Sequence, residues 1–332
     1  MGNKERIINN DYYCIDILKL FFSLCVVALH TNLFLDNNPT LYWYSSHCIW
    51  RLAVPFFFVT SGYFLSKKLR NTNNQKKTLL ISIKRLMTLL IFWLIIGLPF
   101  QIHALLNQQL AIKKIIIELL RSIIFYPWGA LWYILALIIA YILIYTFIKK
   151  DKNVIPLILG FFLYLFAIIS NSYYFVIEGT SLQMIVDKYL ELFISSRNGL
   201  FVGFFYVAIG NYLYVKKEQT TKKKILMLII GMIGLILETT FIHNRHYIED
   251  HSLFFSLLII VPAIFELAKS INIKKNSKKI RNLSIGVYVI HRPIINCLTY
   301  FCDINSNTVL FLIVSIMSIS ISYFLQKINN EY

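Results

Sequence analysis

Charge is what this 332-residue sequence has least of: Asp, Glu, Lys and Arg make up 15% of it, against 58% hydrophobic residues. Soluble domains carry about 25% charged residues, so an ordinary water-soluble globule is excluded and a bilayer is the expected solvent. Acidic residues are scarcer still, 16 against 33 basic, for a formal net charge of +17. The basic residues lie between apolar runs, as in cytoplasmic loops, so no nucleic-acid partner is expected. Cys14, Cys25, Cys48, Cys297 and Cys302 form no C-x-x-C pair and no His/Cys cluster of zinc spacing, and no metal is expected. The sequence also lacks an internal repeat, a Pro/Gly/Ser-rich linker, a G-x-S-x-G elbow and a soluble appendage. The expectation is one membrane domain over 1–332. Its first apolar run ends in Leu-Phe-Leu-Asp-Asn-Asn rather than at a small-residue cleavage site, and reads as a retained helix.

What is present is a series of runs of about 20 residues, enough to cross roughly 30 Å of hydrocarbon. They fall at approximately 14–35, 47–66, 86–106, 131–148, 153–173, 198–215, 225–243, 253–269, 283–302 and 308–327. The fold class expected is an all-α polytopic membrane bundle of about ten transmembrane helices. Alternate connections hold Lys67 to Arg85, Lys149 to Lys152, Lys216 to Lys224 and Lys269 to Arg281. Counting the termini, 24 of the 33 basic residues fall on that side, which places both termini in the cytoplasm of a plasma-membrane protein. Two outer connections are long. One contains QLAIKKIIIELLRSII, apolar at helical spacing, which suits a connector greasy toward the bundle, an interfacial helix or a lid.

The anomaly is the first run, which carries Asp16, Lys19 and His30. Eleven steps of about 100° return a helix to within roughly 20° of its start, so Lys19 and His30 share a face some 16 Å apart. Such a stripe is too costly to face lipid and predicts a polar interior. Depth sorts the remaining polar residues. His30, Arg51, Arg197 and Glu238 with His243 lie toward the outside, and Asp16, Lys19, Ser61, Tyr63, Arg85 and, near mid-depth, His291 with Arg292 lie toward the inside. Each has a plain structural alternative. Asp16 and Lys19 suit a simple ion pair, Arg51 a headgroup contact, His291 a satisfied core histidine, and Trp128 and Trp132 interfacial anchoring instead of substrate stacking. Cys48 and Cys302 both fall near the outer surface, which leaves a disulfide between them open. Histidine takes and gives protons near neutrality, so His30 suits a general base for a hydroxyl, with Glu238 as orienting partner. A cationic inner set suits an anionic cofactor.

The opening IDILKLFFSLCVVALH, with Asp16, Lys19 and His30, resembles the first-helix pattern of the acyltransferase family 3 membrane proteins, among them peptidoglycan and surface-polysaccharide O-acetyltransferases. RLAVPFFFVTSGYFL, with Arg51, Pro55 and Ser61-Gly62-Tyr63, is similar to that family's second-helix signature. Lys84-Arg85, Leu131-Trp132-Tyr133, Gly210 and SIGVYVIHRPI around His291 also match its order. The resemblance implies acyl transfer from cytoplasmic acetyl-CoA to a hydroxyl of a cell-surface glycan or small-molecule acceptor, directly or through a separate extracellular partner. It makes His30 catalytic and places Lys19 in donor handling; Ser61, Tyr63, Arg85 and His291 are expected beside Lys19 on the donor, and Arg51, Trp132 and Arg197 on the acceptor. Lys19 departs from the family's usual Arg, losing the planar fork while keeping the charge. A second resemblance, carried by SRNGLFVGFFYVAIG and LETTFIH with its downstream polar loop, is to the membrane domain of vancomycin-resistance serine racemases. It implies the alternative of L-serine-like transport, with His30, Arg51, Arg197 and Glu238 holding the amino acid. With the chain ending at Tyr332, no racemase activity is expected.

Overall fold

A chain of long apolar runs can satisfy its backbone N–H and C=O groups away from water only by coiling into helices or closing a barrel, and this one coils. The computed structural model describes residues 12–245, 251–273, 275–302 and 304–331. The polar loop 246–250, the first eleven residues and Lys274 lie outside the described residues. Among the described residues there is no strand, and thirteen α-helices follow in order. They are α1 (Tyr13–His30), α2 (Pro39–Cys48), α3 (Ala53–Arg70), α4 (Gln75–Leu106), α5 (Ile112–Phe125), α6 (Trp132–Lys149), α7 (Ile155–Ile169), α8 (Ser181–Phe193), α9 (Phe204–Val215), α10 (Thr221–His243), α11 (Leu257–Ser270), α12 (Lys278–Phe301) and α13 (Asn307–Glu331).

Each of the ten apolar runs overlaps a helix, but among the described residues six are long and apolar enough to cross a membrane: Tyr13–His30, Pro39–Arg70, Gln75–Leu106, Trp132–Lys149, Thr221–His243 and Asn307–Ile328. Ile155–Ile169 and Gly199–Val215 are apolar but shorter. The 24-residue α12 has the length, yet Lys278, Lys279, Arg281, His291 and Arg292 interrupt its hydrophobicity. The first helix is shorter than the run that encodes it. Thr31 Oγ1 bonds back to the Val27 and Ala28 carbonyls, and Asn32 and Phe34 take positive φ angles of 51° and 75°. His30 is therefore the last residue of α1, at the edge of a turn rather than well inside a span.

Buried aromatic and aliphatic side chains of α1, α3, α6, α9, α11 and α12 form the centre. There α3 and α9 meet backbone to backbone. A Cβ on Gly210 would lie 2.1 Å from the Val59 carbonyl oxygen, and one on Gly62 would lie 2.3 Å from that of Val207. Charges at one end of the bundle are paired where they are buried: Lys216 with Glu266 at 3.1 Å, and Lys224 with Glu218 at 2.9 Å. At the other end, α5 turns Ile112, Ile116, Leu120 and Ile124 outward and buries only Ile115. It packs against α8 through Phe125 and Phe193, 5.0 Å apart, and through Arg121 on the Glu191 carbonyl. Of the roles open to this segment, the exposed apolar face fits an interfacial helix and not a greasy connector turned to the bundle.

The α3–α9 approach leaves no volume for a methyl group. Gly210→Ala is expected to lower stability by about 1–3 kcal/mol, the usual cost of overpacking, read as an earlier thermal unfolding midpoint in detergent; an unchanged midpoint would refute the close approach.

Candidate functional site

The site is positioned by a seam between α1 and α12, which run side by side with a seven-residue repeat on each. At the first rung, Asp16 accepts from Lys19 Nζ at 3.2 Å, from Ser277 Oγ at 2.6 Å, and from Arg281 Nε and Nη2 at 3.1 and 2.9 Å. At the second, the Ser23 hydroxyl lies 2.9 Å from that of Ser284 and 3.0 Å from its carbonyl oxygen. At the third, the rings of His30 and His291 stack with centroids 5.3 Å apart. Residues 16, 23 and 30 meet 277, 284 and 291 because a 3.5-residue repeat keeps one stripe facing a parallel neighbour.

His30 opens into a cavity of about 340 Å³, whose lining includes Arg51, Trp132, Arg197, Tyr288 and Arg292. The charges of Arg292, Arg51 and Arg197 lie within electrostatic reach of its ring. Local sequence explains these placements. Asn198 accepts from the Leu200 and Phe201 amides and starts a π-turn over Gly199–Gly203, fixing Arg197 just before it. Arg197 then lies over Tyr126 and Trp132, 5.7 and 5.8 Å from their ring centres, and those two rings stack at 5.6 Å. Gly129, at φ +63°, carries the chain past Arg292, whose Nε would lie 3.1 Å from any Cβ there. Arg51, Trp132 and Arg197, the expected acceptor residues, thus share one cavity with His30, and Trp132 lines it instead of serving only as an interfacial anchor.

A second cavity, about 230 Å³, lies further along α1 and α12 and is lined by Lys19, Ser61, Arg281 and Ser284 with apolar side chains that include Leu86, Leu89, Leu137 and Ile285. Ser61 Oγ is 3.3 Å from the Tyr133 hydroxyl. Tyr288 lines both cavities, anchored by its hydroxyl on the Ala130 carbonyl at 2.8 Å. The shared face of Lys19 and His30 is therefore divided, one end in each cavity with Tyr288 between.

Four expected placements change. Glu238 is not beside His30: it accepts from Tyr173 Oη (2.7 Å), Phe255 N (2.7 Å), Ser256 N (2.8 Å) and Ser256 Oγ (2.6 Å). A carboxylate there caps the start of α11, where helix N–H groups need an acceptor. His291 lies against His30 rather than among the donor residues, fully buried, with Nδ1 3.2 Å from the Val287 carbonyl and Nε2 without a hydrogen bond. Tyr63 packs against Tyr12, Phe64, Tyr214 and Phe265, because two residues along a helix turn it by about 200° from Ser61. Arg85 is exposed and does not line the inner cavity, though it lies within electrostatic reach of Lys68, as does Arg281. Cys48 and Cys302 are free thiols, Cys48 buried with Sγ 3.4 Å from Thr239 Oγ1 and Cys302 exposed. Tyr288, Arg281 and the cavity role of Arg292 escape sequence reasoning, although an arginine in mid-span is itself a signal.

Helices long and apolar enough to cross a membrane, packed around cavities of which one is walled by a histidine, mark a multi-pass membrane protein. A family model described as an acyltransferase domain matches residues 12–327, and the chain belongs to that family, the acyltransferase 3 proteins. It is also 28% identical over 96% of its length to an amino-acid racemase of Enterococcus faecalis, covering 46% of that protein. To a serine/alanine racemase of Enterococcus gallinarum it is 25% identical over 92% of its length, covering 44% of that protein. The chain thus spans less than half the length of these curated relatives. No solved structure matches it significantly.

The first rung and the α11 cap set two expectations. Asp16→Asn leaves two cations facing a neutral group and should cost about 3 kcal/mol, read in thermal unfolding. Glu238→Ala should destabilise by about 2–3 kcal/mol, with Glu238→Gln restoring part of it. A Glu238→Ala protein that unfolds like the parent but has lost all activity would return Glu238 to a chemical role.

Proposed function

We propose that this protein is a membrane O-acyltransferase in which His30 is the general base for an acceptor hydroxyl. The carrying observation is His30 at the wall of one cavity with Lys19 and Arg281 in the next, and Tyr288 between them. In this reading the ten helical runs all span, both termini are cytoplasmic and residues 1–332 form one domain of the plasma membrane, as the loop charges favour. Acetyl-CoA is the donor substrate and enters from the cytoplasm. The basic pair at the inner cavity and the neighbouring Lys68 and Arg85 suit its phosphates, and the apolar lining suits its acyl-bearing arm. The acceptor is a hydroxyl of a cell-surface glycan or related envelope molecule, entering from outside between Trp132 and the arginines. A separate extracellular protein is the alternative recipient of the acyl group.

His30 takes the hydroxyl proton as the acceptor oxygen attacks the thioester carbonyl; the new C–O bond forms, the C–S bond breaks, and His30 returns the proton to the departing thiolate. His291, stacked against His30 and tied to the Val287 carbonyl, orients the ring. Arg51, Arg197 and Arg292 favour negative charge on the reacting carbonyl oxygen.

A second reading, uptake of a serine-like amino acid, takes its support from the likeness to racemases that act on serine and other amino acids. There the arginines bind the carboxylate and no bond is made. Vesicles of known orientation supplied with labelled acetyl-CoA or labelled L-serine separate the two. His30→Ala and His30→Gln are each expected to cut acyl transfer by at least about 10²-fold, the scale of general-base catalysis, with membrane insertion intact. Acyl transfer retained in both variants sinks the enzyme reading, and serine accumulation indifferent to His30 supports transport.

A further inference from the structure

Arg292 belongs to two cavities. Beyond its contact with the His30 pocket, it lines a separate space of about 340 Å³ between α4, α12 and the 126–131 turn. The polar lining there is rich in donors: the Arg292 guanidinium, Asn296, Gln101, and the Trp128 indole, whose Nε1 is buried without a hydrogen-bond partner. Gly97 makes room for that indole, since a Cβ at 97 would lie 2.4 Å from Trp128 Nε1. Among the described lining residues none is acidic. Among the described residues Arg292 makes no ion pair, in contrast to Lys19, Lys216 and Lys224, each of which is matched to a carboxylate. A guanidinium left in a largely apolar bundle is costly unless an anion completes it.

The surroundings indicate how that anion arrives. The two helices that frame the cavity turn apolar side chains outward, Ile95 at 65% and Leu106 at 54% exposure on α4 and Phe301 at 75% on α12. On α4, long and apolar enough to cross a membrane, such a face meets lipid chains. His103 and Tyr300, edge to face at 5.0 Å, stand at the rim toward the ends of α4 and α12. The space is therefore flanked by hydrocarbon and offers hydrogen-bond donors inside.

We propose that this side cavity binds the phosphate of a lipid-borne acceptor, which enters laterally between α4 and α12 and presents its head-group hydroxyl to His30. The proposal rests on the acyltransfer reading and narrows its acceptor to hydroxyl-bearing head groups joined to lipid through phosphate. Arg292 is the shared wall: one guanidinium faces the phosphate on one side and the reacting hydroxyl on the other. Its planar fork suits two phosphate oxygens at once.

The test is direct binding to the purified full-length protein in detergent, measured by native mass spectrometry, with dihexanoyl phosphatidic acid, neutral dihexanoylglycerol and inorganic phosphate as probes. The phosphatidic acid is expected to bind at least about tenfold more tightly than the neutral lipid, the value of one charge-assisted contact. Arg292→Gln should remove that preference, and Arg292→Lys, which keeps the charge and loses the fork, should keep part of it, which also shows that the site tolerates substitution. His30→Ala should bind the phosphatidic acid as the parent does. Equal binding of the charged and neutral lipids, or a preference unaffected by Arg292→Gln, overturns the proposal. Inorganic phosphate displacing phosphatidic acid at equal concentration overturns the lipid origin of the anion while keeping the anion site. Because binding is read without turnover, acyl transfer that survives loss of His30 would defeat the functional reading and leave this measurement standing.

Discussion

The α1–α12 seam is the constraint from which the rest follows. Its three rungs change character along the helices, from the Asp16 ion-pair cluster, through the Ser23–Ser284 hydroxyl pair, to the His30–His291 stack. Hydrophobic attraction does little to hold helices together in lipid, whose tails are as apolar as leucine; packing and hydrogen bonds between helices do that work. The seam supplies both at once. A slip by one residue on either helix would rotate each rung by about 100° and separate all three together. The histidine pair is thus fixed from a distance, by contacts made at the far end of the same helices.

That fixing matters because His30 terminates its helix. The chain turns immediately after it, through Thr31 and the positive-φ Asn32, and a residue at such an edge would otherwise fray. The buried His291 ring on one side and the cavity wall on the other leave the imidazole one polar outlook, toward Arg51, Arg197 and Arg292. The same end of the bundle is reinforced by the π-turn at Gly199–Gly203, which aims Arg197, and by Gly129, which lets the 126–131 turn close on Arg292. Irregular backbone here borders a cavity, as expected where non-helical chain lies within a membrane bundle.

Much of this is legible in the sequence, for identifiable reasons. Ionisable residues inside apolar runs are expensive, so His30, Arg51 and Arg197 stand out and prove to share a cavity. Helical periodicity separates Ser61 from Tyr63, but only a known cavity direction says which of the two faces it. Glu238 misleads for a physical reason. A carboxylate flanked by apolar residues in its own helix looks unpartnered, while its partners, the Phe255 and Ser256 amides, arrive from a later turn. His291 is placed by depth among inner residues, yet depth along a helix says nothing about which neighbour it meets. That is set by the seam, which appears in sequence only once 16, 23 and 30 are matched with 277, 284 and 291. Tyr288 carries no charge in a chain with 21 tyrosines, so nothing in composition distinguishes it.

The seam also bears on the lysine at position 19. Lysine there has the charge but not the planar fork expected of arginine, and its ammonium is held at 3.2 Å by Asp16. Asp16 is at the same time engaged by Arg281 through Nε and Nη2, and Arg281 lines the same inner cavity as Lys19. A guanidinium is therefore present at that mouth, delivered by α12 instead of α1. Both cations of the inner cavity answer to one carboxylate, Asp16. With lysine at position 19, the planar fork at this mouth is presented by α12, and the first rung of the seam joins the two helices into one surface.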